Sequence, residues 1–282
     1  MTFRFHPLRF HFTARERIHF APGKSSNLLR GAFGITLRRL ICSADCPGAR
    51  TCPQRDTCSY ARVFEPSPPA DSPSGLADPP RPFVFRASHL DSLTLAPGDP
   101  FHFDFHLFLE AAPLLPHLTQ AFAALERADF ARVDAPPEPT VLSLDPPANP
   151  VSRITVHFAT PTELKGHDGL LDQPDFGILA SRIRDRISTL RELYGDGPLD
   201  LDFRAFGERA SRICMTRCDL VQIAAQRRSS RTGQTHSLGG FTGEADYEGD
   251  LTEFVPYLEA ARWTGVGRQT VWGKGEIHVT VR

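Results

Sequence analysis

A strand–helix–strand–strand–helix–strand order that occurs twice, a proline-rich break between the two occurrences, and four cysteines within seventeen residues of the first predict the fold. The prediction is an α+β chain of two tandem ferredoxin-like domains, residues 1–148 and 149–282, with a four-cysteine metal-binding insertion at about 42–66. A length of 282 residues suits two domains of about 140 residues. At 40% hydrophobic and 23% charged the chain can bury a core and is not disordered. No apolar run approaches the roughly 20 residues of a membrane-spanning helix, and the first twelve residues lack the apolar stretch of a secretory signal. A cytoplasmic protein with no membrane partner is expected.

The elements follow from apolar period. Thr2 to Phe12 reads as a strand, with Phe3 and Phe5 on one face and, after Pro7, Leu8, Phe10 and Phe12 in the opposite phase, so a bulge is expected. Asn27 to Ile41 reads as a helix with Leu29, Ala32, Phe33, Thr36, Leu37 and Leu40 as its buried stripe and Ser25 or Ser26 as cap. Pro66 to Pro82, seven prolines in seventeen residues, is an extended loop. Strands follow at Phe83 to Ala87 and Phe101 to Leu109, the second alternating strictly, then a helix from Leu114 to Arg127. Six prolines between Pro136 and Pro150 mark the break, with a short strand at Val141 to Leu144 inside it. The pattern then repeats: strand Arg153 to Ala159, helix Asp175 to Tyr194, strand Ile213 to Gln226, helix Leu251 to Arg262, and a closing strand through Ile277, Val279 and Val281.

A net charge of −1 hides an uneven distribution. Residues 1–62 carry eleven Lys/Arg against three Asp/Glu, residues 63–178 six against sixteen, and residues 179–282 fifteen against fourteen. One positive face on an acidic body is expected, which excludes a uniformly basic coat. Of 32 cations 29 are Arg, a ratio that GC-rich coding explains, so the clustering is the better signal. Arg30, Arg38 and Arg39 fall off the apolar stripe of the first helix, and Arg227, Arg228 and Arg231 crowd a loop. A guanidinium fork grips phosphate and stacks on bases, so all six are candidate phosphate contacts.

Cys42, Cys46, Cys52 and Cys58 are separated by three, five and five residues. Four thiolates make a closed tetrahedral site, which suits structural zinc. An iron–sulfur cluster uses the same ligands, and an unmetallated or disulfide-bonded cluster is the third reading. Cys214 and Cys218 share one face of a strand and read as buried small hydrophobes. Gly265, Gly267, Gly273 and Gly275 form a glycine-rich loop with Arg268 and Lys274 beside them; glycines let backbone approach phosphate, and a structural hairpin is the alternative. His19 and His236 lie in loops beside basic residues and are candidate proton-transfer groups. His89, His102, His106, His117, His157, His167 and His278 read as solvated filler.

These residues together resemble the CRISPR-associated pre-crRNA-processing endoribonucleases of the RAMP superfamily. The resemblance rests on Asn27-Leu28-Leu29-Arg30-Gly31-Ala32-Phe33-Gly34, on Cys58 through Pro66, on Arg228-Ser229-Ser230-Arg231 with Leu238-Gly239-Gly240-Phe241-Thr242-Gly243, on Tyr247 through Leu258, and on the final glycine-rich loop. It implies two ferredoxin-like (RRM-like) domains whose cleft and glycine-rich loop hold the CRISPR repeat RNA, alongside other effector subunits. It also implies metal-independent cleavage by a ribose 2′-hydroxyl, leaving a 2′,3′-cyclic phosphate and a 5′-hydroxyl. The chain departs from its relatives at Gly265-Val266-Gly267-Arg268, where many read histidine–valine–glycine–lysine, and its first helix holds no histidine. His19, Lys24, Tyr60 and His236 are therefore the candidate catalytic residues. The alternative is a non-catalytic RAMP subunit that binds the crRNA 3′ hairpin within an effector complex.

Overall fold

The structure, a computed structural model, describes residues 1–43, 45–48, 51–66, 79–166, 169–224, 226–228, 235–237 and 239–282. It divides into two compact units, one of Arg4–Thr140 with Leu193–Gly195, the other of Met1–Phe3, Val141–Glu192 and Asp196–Arg282.

The first unit contains β1 (Thr2–Ala14), β2 (Ile18–His19), α1 (Ser25–Ile41), α2 (Ser59–Phe64), β3 (Phe83–Arg86), β4 (Thr94–Leu95), β5 (Pro100–Leu107), α3 (Leu115–Ala123) and β6 (Ala128–Asp134). Its main sheet has the order β3-β5-β1-β6, with β7 (Thr140–Ser143) also pairing β1. β1 runs antiparallel to β5 and β6, and its register against β6 shifts between His11 and Phe12. The expected change of apolar phase is present: Phe3 and Phe5 are buried, then Leu8, Phe10, Phe12 and Ala14.

Phenylalanine builds the core of this unit. Phe10, Phe33 and Phe103 meet Phe122 with ring centroids 4.3, 4.8 and 5.1 Å apart, and Phe83, Phe85 and Phe105 close around Phe33. Aromatic pairs at these distances add to their burial energy. Gly34 is where α1 meets α2: a Cβ there would run into the Phe64 ring, whereas Gly31, one turn earlier, has open space around it.

Several sequence-based expectations are corrected here. Ser25 and Ser26 lie inside the first turn of α1, and Lys24 is the N-cap without a side-chain bond. The capping carboxylate arrives from elsewhere in the chain: Asp91 Oδ1 accepts from Ser25 N at 3.0 Å and from the Ser25 hydroxyl. Leu40, at the far end of the helix, is 46% exposed. α3 ends at Ala123, and the following residues turn into β6, a weakly alternating strand absent from the sequence reading. His106 is buried against Phe5, and His102 stacks on His89 at 4.6 Å, so neither is solvated filler.

The second unit continues with β8 (Arg153–Thr162), α4 (Phe176–Tyr194), α5 (Phe203–Ala210), β9 (Cys214–Ile223), β10 (Gln226–Arg228), β11 (Thr235–Ser237), β12 (Gly240–Glu248), α6 (Val255–Thr264) and β13 (Ile277–Val281). Its four-stranded sheet has the order β13-β8-β12-β9, antiparallel throughout. Ile154, Val156, Phe158, Ala245 and Tyr247 on the sheet and Leu179, Ile183, Leu258 and Ala261 on α4 and α6 are all buried. The Tyr247 hydroxyl, buried with its ring, donates to the Pro174 carbonyl at 2.7 Å. α5 and β12 were not foreseen from the sequence, and α6 starts at Val255 because Pro256 belongs in a first helical turn. β9 is an edge strand with Cys214 exposed and Cys218 half-buried, which corrects their reading as core residues.

Phe122→Ala should lower stability by about 3–5 kcal/mol, the usual range for emptying a buried aromatic site. Urea unfolding checks it, with the loss in midpoint expected at unchanged slope.

Candidate nucleic-acid interface

Residues 265–275 leave α6 at Gly265, its C-cap (φ 71°), and return to β13 by a loop packed on the end of β8. Three backbone bonds hold the loop: Val266 N to Gly275 O at 2.9 Å, Gly275 N to Pro161 O at 3.2 Å, and Arg268 N to Glu163 O at 3.1 Å. Gly275 has φ 69°, and a Cβ there would collide with the Val266 carbonyl oxygen, so the two arms of the loop meet only because one of them is glycine. Gly273 ends a 3-10 turn over Thr270–Trp272. Gly265, Gly273, Gly275 and Lys274 are buried and Gly267 is half-buried. Lys274, 3% exposed, is thus corrected from a surface phosphate contact to an interior residue. What the loop presents to solvent is Arg268, with a 59% exposed side chain whose guanidinium donates to Glu163 Oε1 at 2.7 Å. That carboxylate is itself only 6% exposed.

The second constellation lies in the first unit. His19 is exposed in β2, and its Nδ1 is 2.9 Å from the Thr94 hydroxyl on the paired strand β4. Phe20 is buried directly after it, and a turn closed by Lys24 N to Ala21 O at 3.1 Å brings the chain to exposed Lys24 at the head of α1. The Asp91 carboxylate already occupies that helix N-terminus, so an incoming phosphate meets Lys24 and not the bare helix dipole. Tyr60 is 5% exposed, stacks on Phe64 at 5.6 Å and donates to Glu65 Oε1 at 3.2 Å, which makes it a core residue of α2 and removes it from the exposed candidates.

The arginines of α1 separate by role. Arg30 lies over the Phe64 ring at 4.3 Å, committed to packing. Arg38 and Arg39 are exposed, Arg39 beside Glu126 at 3.5 Å and Arg38 near the Cys42 and Cys46 thiols. In the second unit, Arg227 and His236 are backbone partners in the two-stranded pairing of β10 with β11, and Arg228 pairs Thr235. Arg231 lies outside the described residues, as does His167.

The six cysteines are all free. Burial, then hydrogen bonding to Cys46, pushes the Cys42 thiol up to about 11. The Gly48 amide, with the Cys42 and Cys52 thiols and the Arg38 charge, draws Cys46 down. The donor set is right in kind for a thiolate metal site, but among the described residues no three or more ligating side chains are gathered to hold an ion. No helix among the described residues is long and apolar enough to cross a membrane.

Comparison with known proteins shows which chains share this fold. A product complex of a Cas6 protein covers 98% of this chain and 99% of its own, with TM-score 0.61 at 17% identity. Thermus thermophilus Cas6 covers 98% of each chain with TM-score 0.59 at 16% identity. A partial Cas6–RT–Cas1–Cas2 complex superposes with TM-score 0.61 at 12% identity over 99% of this chain and 46% of that one. At these identities the likeness shows a shared fold. No curated protein matches the sequence. A family model described as an N-terminal domain matches residues 3–148, and that of the CRISPR-associated endoribonuclease Cas6 matches residues 156–277. Residues 156–277 thus match the Cas6 family of CRISPR-associated endoribonucleases, and the chain shares its fold with solved Cas6 structures.

Gly275→Ala should destabilise the second unit by at least about 1–3 kcal/mol, because the left-handed backbone and the collision with Val266 O act together. Hydrogen exchange should show the loss at Val266 and Gly275, the amides that close the loop.

Proposed function

We propose that this protein binds CRISPR repeat RNA and cuts precursor crRNA at the repeat without a metal ion in the reaction. The observation that carries the reading is the Cas6 match over residues 156–277, which takes in the whole glycine-rich loop and exposed Arg268. In the reaction, a ribose 2′-oxygen bonds to the adjacent phosphorus and the bond to the 5′-oxygen breaks. A base takes the 2′-hydroxyl proton and an acid supplies one to the departing 5′-oxygen. The products are a 2′,3′-cyclic phosphate and a 5′-hydroxyl end.

His19 is the residue we assign as base. Thr94 engages Nδ1 and leaves Nε2 for the substrate, and Lys24, across the following turn, supplies charge for the phosphorane. His236 is the second candidate. The strand orders β3-β5-β1-β6 and β13-β8-β12-β9 support reading each unit as a ferredoxin-like domain; the chain passes from one to the other between Thr140 and Val141, eight residues before the boundary expected at 148/149. A cytoplasmic location and association with other CRISPR effector subunits complete the proposal; one structural neighbour is titled as a Cas6–RT–Cas1–Cas2 complex. A second reading, a non-catalytic subunit that holds the crRNA hairpin, is favoured by two features: α1 has no histidine, and Gly265 stands where many relatives have one.

Cleavage of the cognate repeat in excess EDTA separates the two readings. The enzyme should retain activity, yield a cyclic phosphate, and lose cleavage but not binding when the nucleotide before the cut is 2′-deoxy. His19→Ala should slow cleavage by about 10²–10⁴-fold, the range of a general acid–base group. Full activity in that variant transfers the role to His236.

Zinc held by Cys42, Cys46, Cys52 and Cys58 is a separate proposal, supported by the donor set. When bound it would supply a closed structural cross-link and no chemistry. Metal analysis of anaerobically purified protein should find about one zinc per chain, and changing Cys46 and Cys52 to Ser should abolish it along with solubility.

A further inference from the structure

The second unit carries an open pocket of about 480 Å³, within the size range of small-molecule sites, that shares a wall with the glycine-rich loop. Its lining includes Glu163 at the end of β8, Leu170, Leu171 and Asp172, and Gln222 and Ile223 at the end of β9. β12 pairs β8 at Phe241–Thr162 and β9 at Gly240–Ile223, and a register shift between Phe241 and Gly243 bends it there. Gly240 presses so close to the Thr162 carbonyl that no Cβ fits, and the pocket lies beside this contact, at the ends of β8 and β9.

The chemistry of the wall selects what enters. Leu170 is 57% exposed and Ile223 38%, an apolar pair that leaves water on two large side chains. Among the described residues, the charged members of the lining, Glu163 and Asp172, are both acidic. Two carboxylates disfavour a phosphodiester there, and the exposed Arg268 side chain suits it better. A neutral planar base is accepted, since its faces gain from burial against Leu170 and Ile223. RNA is read in this way, through unpaired bases inserted into a pocket and bonded on their edges.

The edge groups are specific. A carboxylate is acceptor-only and has about four lone-pair sites, of which the bond from Arg268 to Glu163 Oε1 uses one. The base that answers a carboxylate with two adjacent N–H donors is guanine, through N1–H and the N2 amino group. Gln222 Nε2 donates to the Asp172 carbonyl at 3.2 Å and keeps a second N–H to give to guanine O6. We propose that this pocket takes one unpaired guanine of the repeat RNA, a specificity site beside the phosphate-facing loop. The proposal rests on the RNA-binding reading above.

The test measures affinity for the cognate repeat and for repeats in which each unpaired nucleotide in turn is made abasic, with inosine replacing guanine as a further series. Wild-type protein should lose about 10–100-fold at one guanine position, and inosine there, lacking the N2 amino group, should lose part of this. Ile223→Trp, which fills the pocket at an exposed strand end, should bind the intact repeat as weakly as wild type binds the abasic one and should not distinguish the two. Its salt dependence should equal that of wild type, because no phosphate contact is lost. Gln222→Ala, a milder change at an exposed residue, should weaken guanine discrimination with an unaltered thermal midpoint, and stands in if the tryptophan variant does not fold. Wild type indifferent to every unpaired position, discrimination centred on another base, or discrimination that survives both substitutions overturns the pocket assignment. Failure of wild type to bind the repeat at all overturns the RNA-binding reading instead.

Discussion

The close contact between residues 265–275 and the end of β8 is the constraint on which the second unit's working surface depends. Gly275 donates to Pro161 and accepts from Val266, so the entry and exit of the loop are tied to each other and to one strand end. Because Val266 is completely buried beneath, the loop is a packed piece of the core margin and not a flexible flap. Arg268 inherits its position from this: its amide is fixed on the Glu163 carbonyl, and its side chain meets the carboxylate of the same residue. Glu163 then faces two ways. One oxygen orients the exposed cation of the loop, and the residue as a whole lines the neighbouring pocket. Truncating it would release the guanidinium and change the pocket wall in one step.

The arginines show how little a linear charge count says about available charge. Arg209 binds Glu253 with two bonds, at 2.5 and 2.8 Å, and Arg217 is surrounded by Asp219, Glu244 and Asp246 on the sheet. Arg186 donates to the Thr264 carbonyl and Arg184 to that of Phe203. Arg30 is spread over a phenylalanine ring. These side chains stabilise structure or balance nearby carboxylates, and exposed pairs of this kind contribute little net energy while cancelling local potential. The sheet of the second unit is therefore charged without being basic. Attraction for phosphate falls to the exposed positions outside such pairs and to Arg268, whose single partner leaves most of its fork exposed.

The histidines divide in a similar manner. His6 and His106 are buried, and burial pulls His6 below its ordinary value despite Glu110 and Glu138 nearby. His11 is bound to Asp134 at 2.7 Å. His19, by contrast, has a hydroxyl partner on one nitrogen and solvent on the other, a combination suited to proton transfer. Loop position in the sequence singled out His19, but its Thr94 partner lies 75 residues away and was invisible there.

The sequence by itself determined the α+β pattern, the strong strands and long helices, and the phase change in β1, because hydrophobic period records which side of an element is dry. It also carried the family resemblance and the location of the glycine-rich loop. β6, α5 and β12 escaped it. β6 is mostly exposed, α5 is two turns long, and β12 begins with glycines that break the alternation, so in each case partners elsewhere in the chain supply the stability that local pattern lacks. Only the tertiary structure decided that Tyr60 and Lys274 are interior, that Asp91 caps α1, and that Cys214 sits on an open edge. It alone placed Glu163 between Arg268 and a pocket, since burial, capping and charge pairing are settled by residues distant in sequence that meet only when the sheet has formed.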